Sequence, residues 1–332
     1  MTPARCLTHQ DYTVGWICAL PLELAAAMAM LDETHPRLSQ DPGDQNTYIL
    51  GRVGEHNVVM ACLPVGQTGT HSAATVAARM MCSFRGIRFG LMVGIGGGVP
   101  SAEHDIRLGD VVVSRPGTQN GGIVQYDFGK TMAEGRFVQT GSLNSPPSLL
   151  LTALSTLQAE HTLKGNRLSD HLKAMDNPRL QPKFTYQGAE HDQLYEAEYD
   201  HVGGATCERC DTRRLVKRPP RETSDVVVHY GTIASGNQVM KHGVTRDRLA
   251  REFGVLCFEM EAAGLVNDFR CVAIRGICDY ADSHKNKRWQ EYAAATAAAY
   301  AKEILSIMQT DRLPDQSTVD KVTPHGKSTT YI

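Results

Sequence analysis

The sequence lacks an excess of charge of either sign: Lys and Arg total 34, Asp and Glu 36, and the formal net charge is −2 over 332 residues. Gripping nucleic acid through its phosphates needs a basic face, so no nucleic-acid partner is expected, although a small anion in a local pocket is not excluded. It also lacks an apolar run as long as a membrane span, and the opening MTPARCLTHQDYT has no apolar core of the kind a secretory signal carries. No membrane partner and a cytoplasmic location are therefore expected. Nine cysteines are an odd number, scattered and often inside apolar runs. That excludes a regular disulfide frame and fits reduced, buried thiols. There is no internal repeat.

Complete ligand-binding signatures are missing as well. GIGGGV at Gly94 has Val99 where the dinucleotide turn needs glycine. GKST at Gly326 and GKT at Gly129 lack the earlier glycine of a phosphate loop, with Lys321 and Val124 in those places. No HExxH occurs, so no catalytic metal and no cofactor are expected. Cys207-x-x-Cys210 is the sole CxxC. A zinc site there needs two further ligands, with His201 and His191 or Asp200 the available ones. By itself the pair reads as two thiols.

The residues that are present alternate between short apolar runs and helical patterns, which predicts an α/β fold on a mixed or mostly parallel sheet. Strands are expected at Tyr12 to Leu20, His56 to Leu63, Gly90 to Ile95 (running into a glycine turn at Gly96, Gly97 and Gly98), Asp110 to Ser114, Val226 to Ala234 and Cys271 to Ile277. Helices are expected over PLELAAAMAML, with Pro21 in the first turn, over GTHSAATVAARMM, with Thr70 as N-cap, and over SLLLTALSTLQAEH. GVTRDRLAREFG, CFEMEAAGLVNDF and the Ala-rich EYAAATAAAYAKEILSIM read as three more. Residues 141–222 are polar and lack a strand period, apart from the SLLLTALSTLQAEH helix, and read as an insertion in one domain spanning 11–309. The tail, 310–332, is expected to be mobile.

Four carboxylates occupy telling places. Glu23 follows the first strand, Glu259 and Glu261 flank Met260 at an expected helix start, and Asp279 ends VAIRGICD. Ligands of open α/β sheets bind beyond the carboxyl ends of the strands, where such groups converge. Singly, each also has a structural explanation: Glu23 complements its helix dipole and Asp279 caps a turn.

Together, GWICALPLELAAAMAMLD, LMVGIGGGV, DIRLGDVVVS, GTIASGNQVM, FEMEAAG and IRGICDYADSHKNKRWQEYAAATAAAYA resemble the nucleoside phosphorylase/nucleosidase superfamily. The likeness covers most of 11–308 outside the middle insertion. It is strongest to the fungal branch, similar to the N-terminal enzyme-like domains of fungal nucleotide-binding receptors, here expected as a free-standing chain. It implies a three-layer α/β/α sandwich around a mixed, partly barrel-like central sheet. It also implies that Met260 and Glu261 contact ribose, Glu261 accepting from the 2′- and 3′-hydroxyls. Asp279 is then the acid at purine N7, with burial or the bound base raising its pKa. Val239 and Met240 line the base, Trp289 covers it or the pocket mouth, and Ile95, Gly96 and Glu259 border the same substrate. Family members are usually oligomers, so a homo-oligomer is expected, with the AATVAARMM face available for contact.

Phosphorylases of this family bind phosphate through an Arg after the first strand and an R-V-G-S segment. Glu23 and Met92-Val93-Gly94-Ile95 hold those places here. A carboxylate repels phosphate and can take a proton from water, and nucleosidases that cleave methylthioadenosine have Glu at this place. The resemblance thus implies a purine nucleoside N-ribohydrolase, with water as co-substrate. Tyr126, Asp127 and Lys130 in QYDFGK suit a polar 5′-hydroxyl and so adenosine. Against hydrolysis stand Arg275, Arg79 and Arg107 as possible anion ligands. The other readings are a phosphorylase, a methylthioadenosine nucleosidase, a nucleoside-binding module without turnover and, on the CxxC alone, a redox protein.

Overall fold

The computed structural model describes residues 7–310 except 176, 177 and 181. β1 (Val14–Cys18) is buried throughout, and Pro21 opens α1 (Pro21–Ala29), its missing N–H costing nothing at the first helical position. β2 (Glu33–Thr34), β3 (Tyr48–Val53) and β4 (His56–Cys62) form an antiparallel run, and β4 joins β1 in parallel. After α2 (Thr70–Ser83) come β5 (Phe89–Gly98), β6 (Val111–Ser114) and β7 (Ile123–Gln125). β8 (Gly129–Thr131) and β9 (Phe137–Gln139) make a small separate hairpin. α3 (Ser148–Lys164) and α4 (Leu168–Leu172) precede β10 (Val228–Ser235), α5 (Gly243–Phe253), β11 (Val255–Glu259), β12 (Cys271–Asp279) and α6 (Gln290–Ile307).

The main sheet has ten strands in the order β11-β10-β6-β12-β5-β1-β4-β3-β2, with β7 beside β10. Parallel and antiparallel pairs mix: β12 runs parallel to β5 and antiparallel to β6. β11 returns to β5, Cys257 facing Gly98 and Phe258 facing Gly97. That contact closes five strands into a ring, so the sheet is barrel-like on one side and open on the other. The expected α/β architecture around a mixed, partly barrel-like sheet is thus the one observed.

Helix α6 is buried on nearly every face because its alanines present no bulk. A Cβ at Gly276 of β12 would lie 1.8 Å from the Ala293 carbonyl oxygen, so helix and strand meet this closely only over glycine. α1, α3 and α4 gather on α6, α2 packs on the helical turn Ala262–Gly264, and α5 packs on β11. The middle region, expected as an insertion, therefore ties its two helices to a core helix. Beyond α4 it is irregular.

Three local expectations are corrected. The glycines after Ile95 form no turn, because β5 runs straight through Gly98 and bonds β11 and β12. CFEMEAAGLVNDF is not a helix: Glu259 ends β11, and a single helical turn follows. Thr70 is the first residue of α2, and Gly69 at φ +97° is the N-cap. The tail lies outside the described residues from 311 onward.

Candidate active site

A cleft of about 250 Å³ opens where β1, β5, β11 and β12 end. Glu23, Ile95, Gly96, Val239, Met240, Glu259, Met260, Glu261 and Asp279 all line it. Trp289 does not. It is buried at the start of α6, packs against Tyr186 and Tyr292, and donates its indole N–H to the His191 carbonyl at 3.2 Å. Its expected place over the base is corrected to a packing role.

Glu23 sits in the first turn of α1 and is held by three backbone N–H groups. Ala19 and Leu20 donate to Oε2 at 2.7 and 2.9 Å, and Ile95 donates to Oε1 at 2.8 Å. Strand end, helix start and β5 thus fix one carboxylate. Burial pushes its pKa above the ordinary carboxylate value, against the opposing pull of Arg275 and these N–H donors.

Arg275, named in the sequence only as an anion ligand, is the charge at the centre. It is fully buried, bonds Glu259 through Nη2, and has Glu261 Oε2 4.0 Å away. A Cβ at Gly94 would meet Arg275 Nη1 at 2.4 Å and Glu23 Oε1 at 2.5 Å, so that glycine makes room for both groups. Glu259 also accepts from the Glu261 and Ala262 N–H groups, which starts the helical turn after β11. Glu261 accepts from Gly69 N–H at 3.2 Å. Burial and then the adjacent Glu259 push its pKa up to about 7, with Arg275 opposing.

Asp279 accepts from the Ala281 N–H at 2.9 Å, and Lys285 Nζ lies 2.6 Å from its Oδ2. Lys285, which the motif reading missed, lines the same cleft. Burial works against its ammonium, but the carboxylate beside it holds the pKa at about 12. Its only sequence signal was a cation six residues past a strand-ending Asp. Thr68, Gln238, Phe258 and Gln290 also line the cleft.

Arg79 binds Gln45, and Arg107 binds Asp105 and the Pro219 carbonyl, away from the cleft. The QYDFGK residues do not line it either. Tyr126 donates to the Gln238 carbonyl and Asp127 accepts from Asn237 N–H, so they brace the loop that carries Val239 and Met240. Among the described residues no helix is long and apolar enough to cross a membrane.

A ring closed by β11 on β5, with acidic groups at its strand ends, is the setting in which a sequence-family match gains meaning. The model of the phosphorylase superfamily matches residues 13–309, and the chain belongs to that superfamily, in its nucleoside phosphorylase/nucleosidase division. Within it the relationship is to nucleosidases of the 5′-methylthioadenosine/S-adenosylhomocysteine type. A Mycobacterium bovis enzyme of that name is 26% identical, over 89% of this chain and 96% of its own length. A nucleotide-binding leucine-rich repeat (NLR)-like protein of Hyaloscypha variabilis is 47% identical over 98% of this chain, and the chain spans 32% of that protein's length. Among solved structures, futalosine hydrolase of Helicobacter pylori shares the fold, with a TM-score of 0.57, 17% identity, and coverage of 90% of this chain and 99% of that one.

Proposed function

We propose that the chain hydrolyses the N-glycosidic bond of purine ribonucleosides of the adenosine type, giving free base and ribose. The observation that carries this reading is Glu23, a carboxylate held by three N–H donors at the cleft where a phosphorylase needs a cation. Arg275 is sealed from solvent against Glu259, which takes it out of competition as a phosphate ligand.

In this reading Glu23 takes a proton from water as the sugar gains oxocarbenium character, and the water oxygen attacks C1′. The N9–C1′ bond breaks, and the electron pair leaves with the purine. Asp279 accepts from the 6-amino group, and the Asp279–Lys285 pair supplies the proton that neutralises the departing base at N7. Glu261 accepts from the ribose hydroxyls, and Met260 packs on the sugar face. Since QYDFGK leaves the cleft unlined, the 5′-hydroxyl preference has lost its support, and methylthioadenosine stands beside adenosine as a substrate to test. A homo-oligomer belongs to the same reading, through the outer face of α2. The NLR-like relative favours a second reading, nucleoside binding without turnover, in which a purified chain binds adenosine and releases no base.

Two results are expected. Asp279→Asn should depress adenosine cleavage strongly and spare inosine relatively, because an amide cannot replace the acid and its N–H suits a 6-oxo group. Lys285→Met should lower kcat on both purines by removing the ammonium that pairs with and positions Asp279. Kinetics on both nucleosides with melting curves alongside check this, and near-normal adenosine turnover by a folded Asp279→Asn variant would remove the acid role.

Glu261→Ala should weaken ribonucleosides more than 2′-deoxyribonucleosides, by about 1.5–3 kcal/mol for a lost charge-assisted bond. The pH profile should move with it. Only the ionised carboxylate accepts from both hydroxyls, so kcat/KM should fall as pH drops through about 7, and Glu261→Gln should flatten that limb. Equal losses on both sugars, or an unchanged limb, would take Glu261 off the ribose.

A further inference from the structure

The cleft leaves Cys207 and Cys210 unexplained. They lie in a long irregular stretch: among the described residues from 176 to 227, helix is limited to single turns and pairing to one bridge, Tyr195 with Leu215. So little regular structure needs other fastenings. The Cys210 N–H donates to the Cys207 carbonyl at 3.0 Å, closing a tight turn between the two cysteines. His201, six residues before Cys207, completes a group in which one imidazole nitrogen and two Sγ atoms all lie within 4.8 Å of one another. His191 and Asp200, the other ligands the sequence offered, are engaged elsewhere, with Glu190 and with Ser283.

We propose that His201, Cys207 and Cys210 bind a zinc ion that holds this irregular segment in the shape in which it packs on residues 283–284 beside the cleft. Two thiolates and an imidazole form a soft donor set, which selects zinc over magnesium or calcium. Tetrahedral zinc, with Zn–S near 2.3 Å and Zn–N near 2.0 Å, places its ligand atoms roughly 3.5 Å apart, so the three need draw in by only about 1 Å. His201 then gives up one local bond, either the Gly203 N–H at Nδ1 or the Thr206 carbonyl at Nε2. His284 lies beside this group, its ring buried and its centre 5.5 Å from that of His201. Its nitrogens fall outside the mutually close set, and Nδ1 is 3.7 Å from Asp282 Oδ1. It becomes the fourth ligand only by moving inward, with water as the other occupant of that position.

The site touches functional geometry. The His201 N–H donates to Ser283 Oγ at 3.0 Å, and Cys207 Sγ lies 3.8 Å from the His284 carbonyl. The next residue is Lys285, which holds Asp279. A zinc ion here braces the segment carrying that cation, and takes no part in bond cleavage.

The test needs no turnover. The full chain, purified without a histidine tag or chelator, should carry about one zinc per chain by plasma mass spectrometry. Stripping the metal should lower the melting temperature, and zinc should restore it, since metal binding free energy adds to folding. Cobalt in its place should give a thiolate charge-transfer band in the near ultraviolet that Cys207→Ser and Cys210→Ser each abolish. If those variants do not fold, the cobalt band and zinc recovery of the wild-type chain decide. A stripped chain that folds normally and takes up no zinc at micromolar concentration would overturn the proposal. So would zinc retained in both serine variants, or a native Cys207–Cys210 disulfide.

Discussion

Glu23→Gln should reduce turnover by about 10²–10⁴, the usual loss when a positioned acid or base is removed. The variant should also be less stable. Both carboxylate oxygens accept backbone N–H bonds, and whichever position the amide takes, its NH₂ faces a donor. An unsatisfied buried N–H costs about 1–3 kcal/mol. Adenosine affinity should change far less than kcat, because water rather than the nucleoside depends on this group. Single-turnover kinetics and a melting curve on one preparation separate the chemical loss from the structural one. A folded variant with kcat within about threefold of wild type would remove Glu23 as the base.

Arg275→Leu should be the most destabilising substitution among the charged groups under and around the cleft. The guanidinium is fully buried and is counterion to Glu259, with Glu261 at 4.0 Å and Glu23 beside it at Gly94. Removing one partner of a buried ion pair costs about 3–5 kcal/mol, a large part of the roughly 5–15 kcal/mol that holds a domain folded. The loss should depend on pH. Arg275 opposes the upward shifts that burial imposes on Glu23 and Glu261, so without the cation their folded-state pKa values move further above the unfolded ones. Stability from that source is present at low pH and is lost as pH rises through the folded values. Urea titrations at pH 5 and pH 8 should find the variant closest to wild type at pH 5. Adding Glu259→Gln should recover part of the loss. An Arg275→Leu chain as stable as wild type at pH 8 would show that the carboxylates balance one another by other means.

The sequence carried the strand and helix alternation because buried parallel strands leave apolar runs, unbroken in Val14–Cys18 and interrupted only by Arg275 before the closing Asp in Cys271–Asp279. It misled at Gly96–Gly98, where glycine signals a turn by its local freedom. Here it serves a close approach: a Cβ on Gly97 would lie 2.7 Å from Asp279 Oδ1. FEMEAAG misled through helix propensity, since Glu, Met and Ala all favour helix. Pairing of Glu259 with Ser235 in β10 overrides that preference and sets Glu259 where its side chain meets Arg275. Nine of the ten candidate residues line one cleft because each sits at a strand end or in the loop or helix beside it. Trp289 is the exception, its bulk serving the start of α6. Arg275 was illegible in its role because a charge inside an apolar run acquires its meaning from Glu259, brought in by another strand, and Lys285 because only the turn after β12 brings it back onto Asp279.

Product analysis with and without phosphate tests the hydrolase reading most directly. The purified chain is incubated with adenosine, inosine, guanosine, uridine and methylthioadenosine, and both the base and the sugar are identified. The prediction is free adenine with ribose, or methylthioribose, at the same rate whether or not phosphate is present. Turnover that requires phosphate and accumulates ribose 1-phosphate would contradict the water-activating role of Glu23.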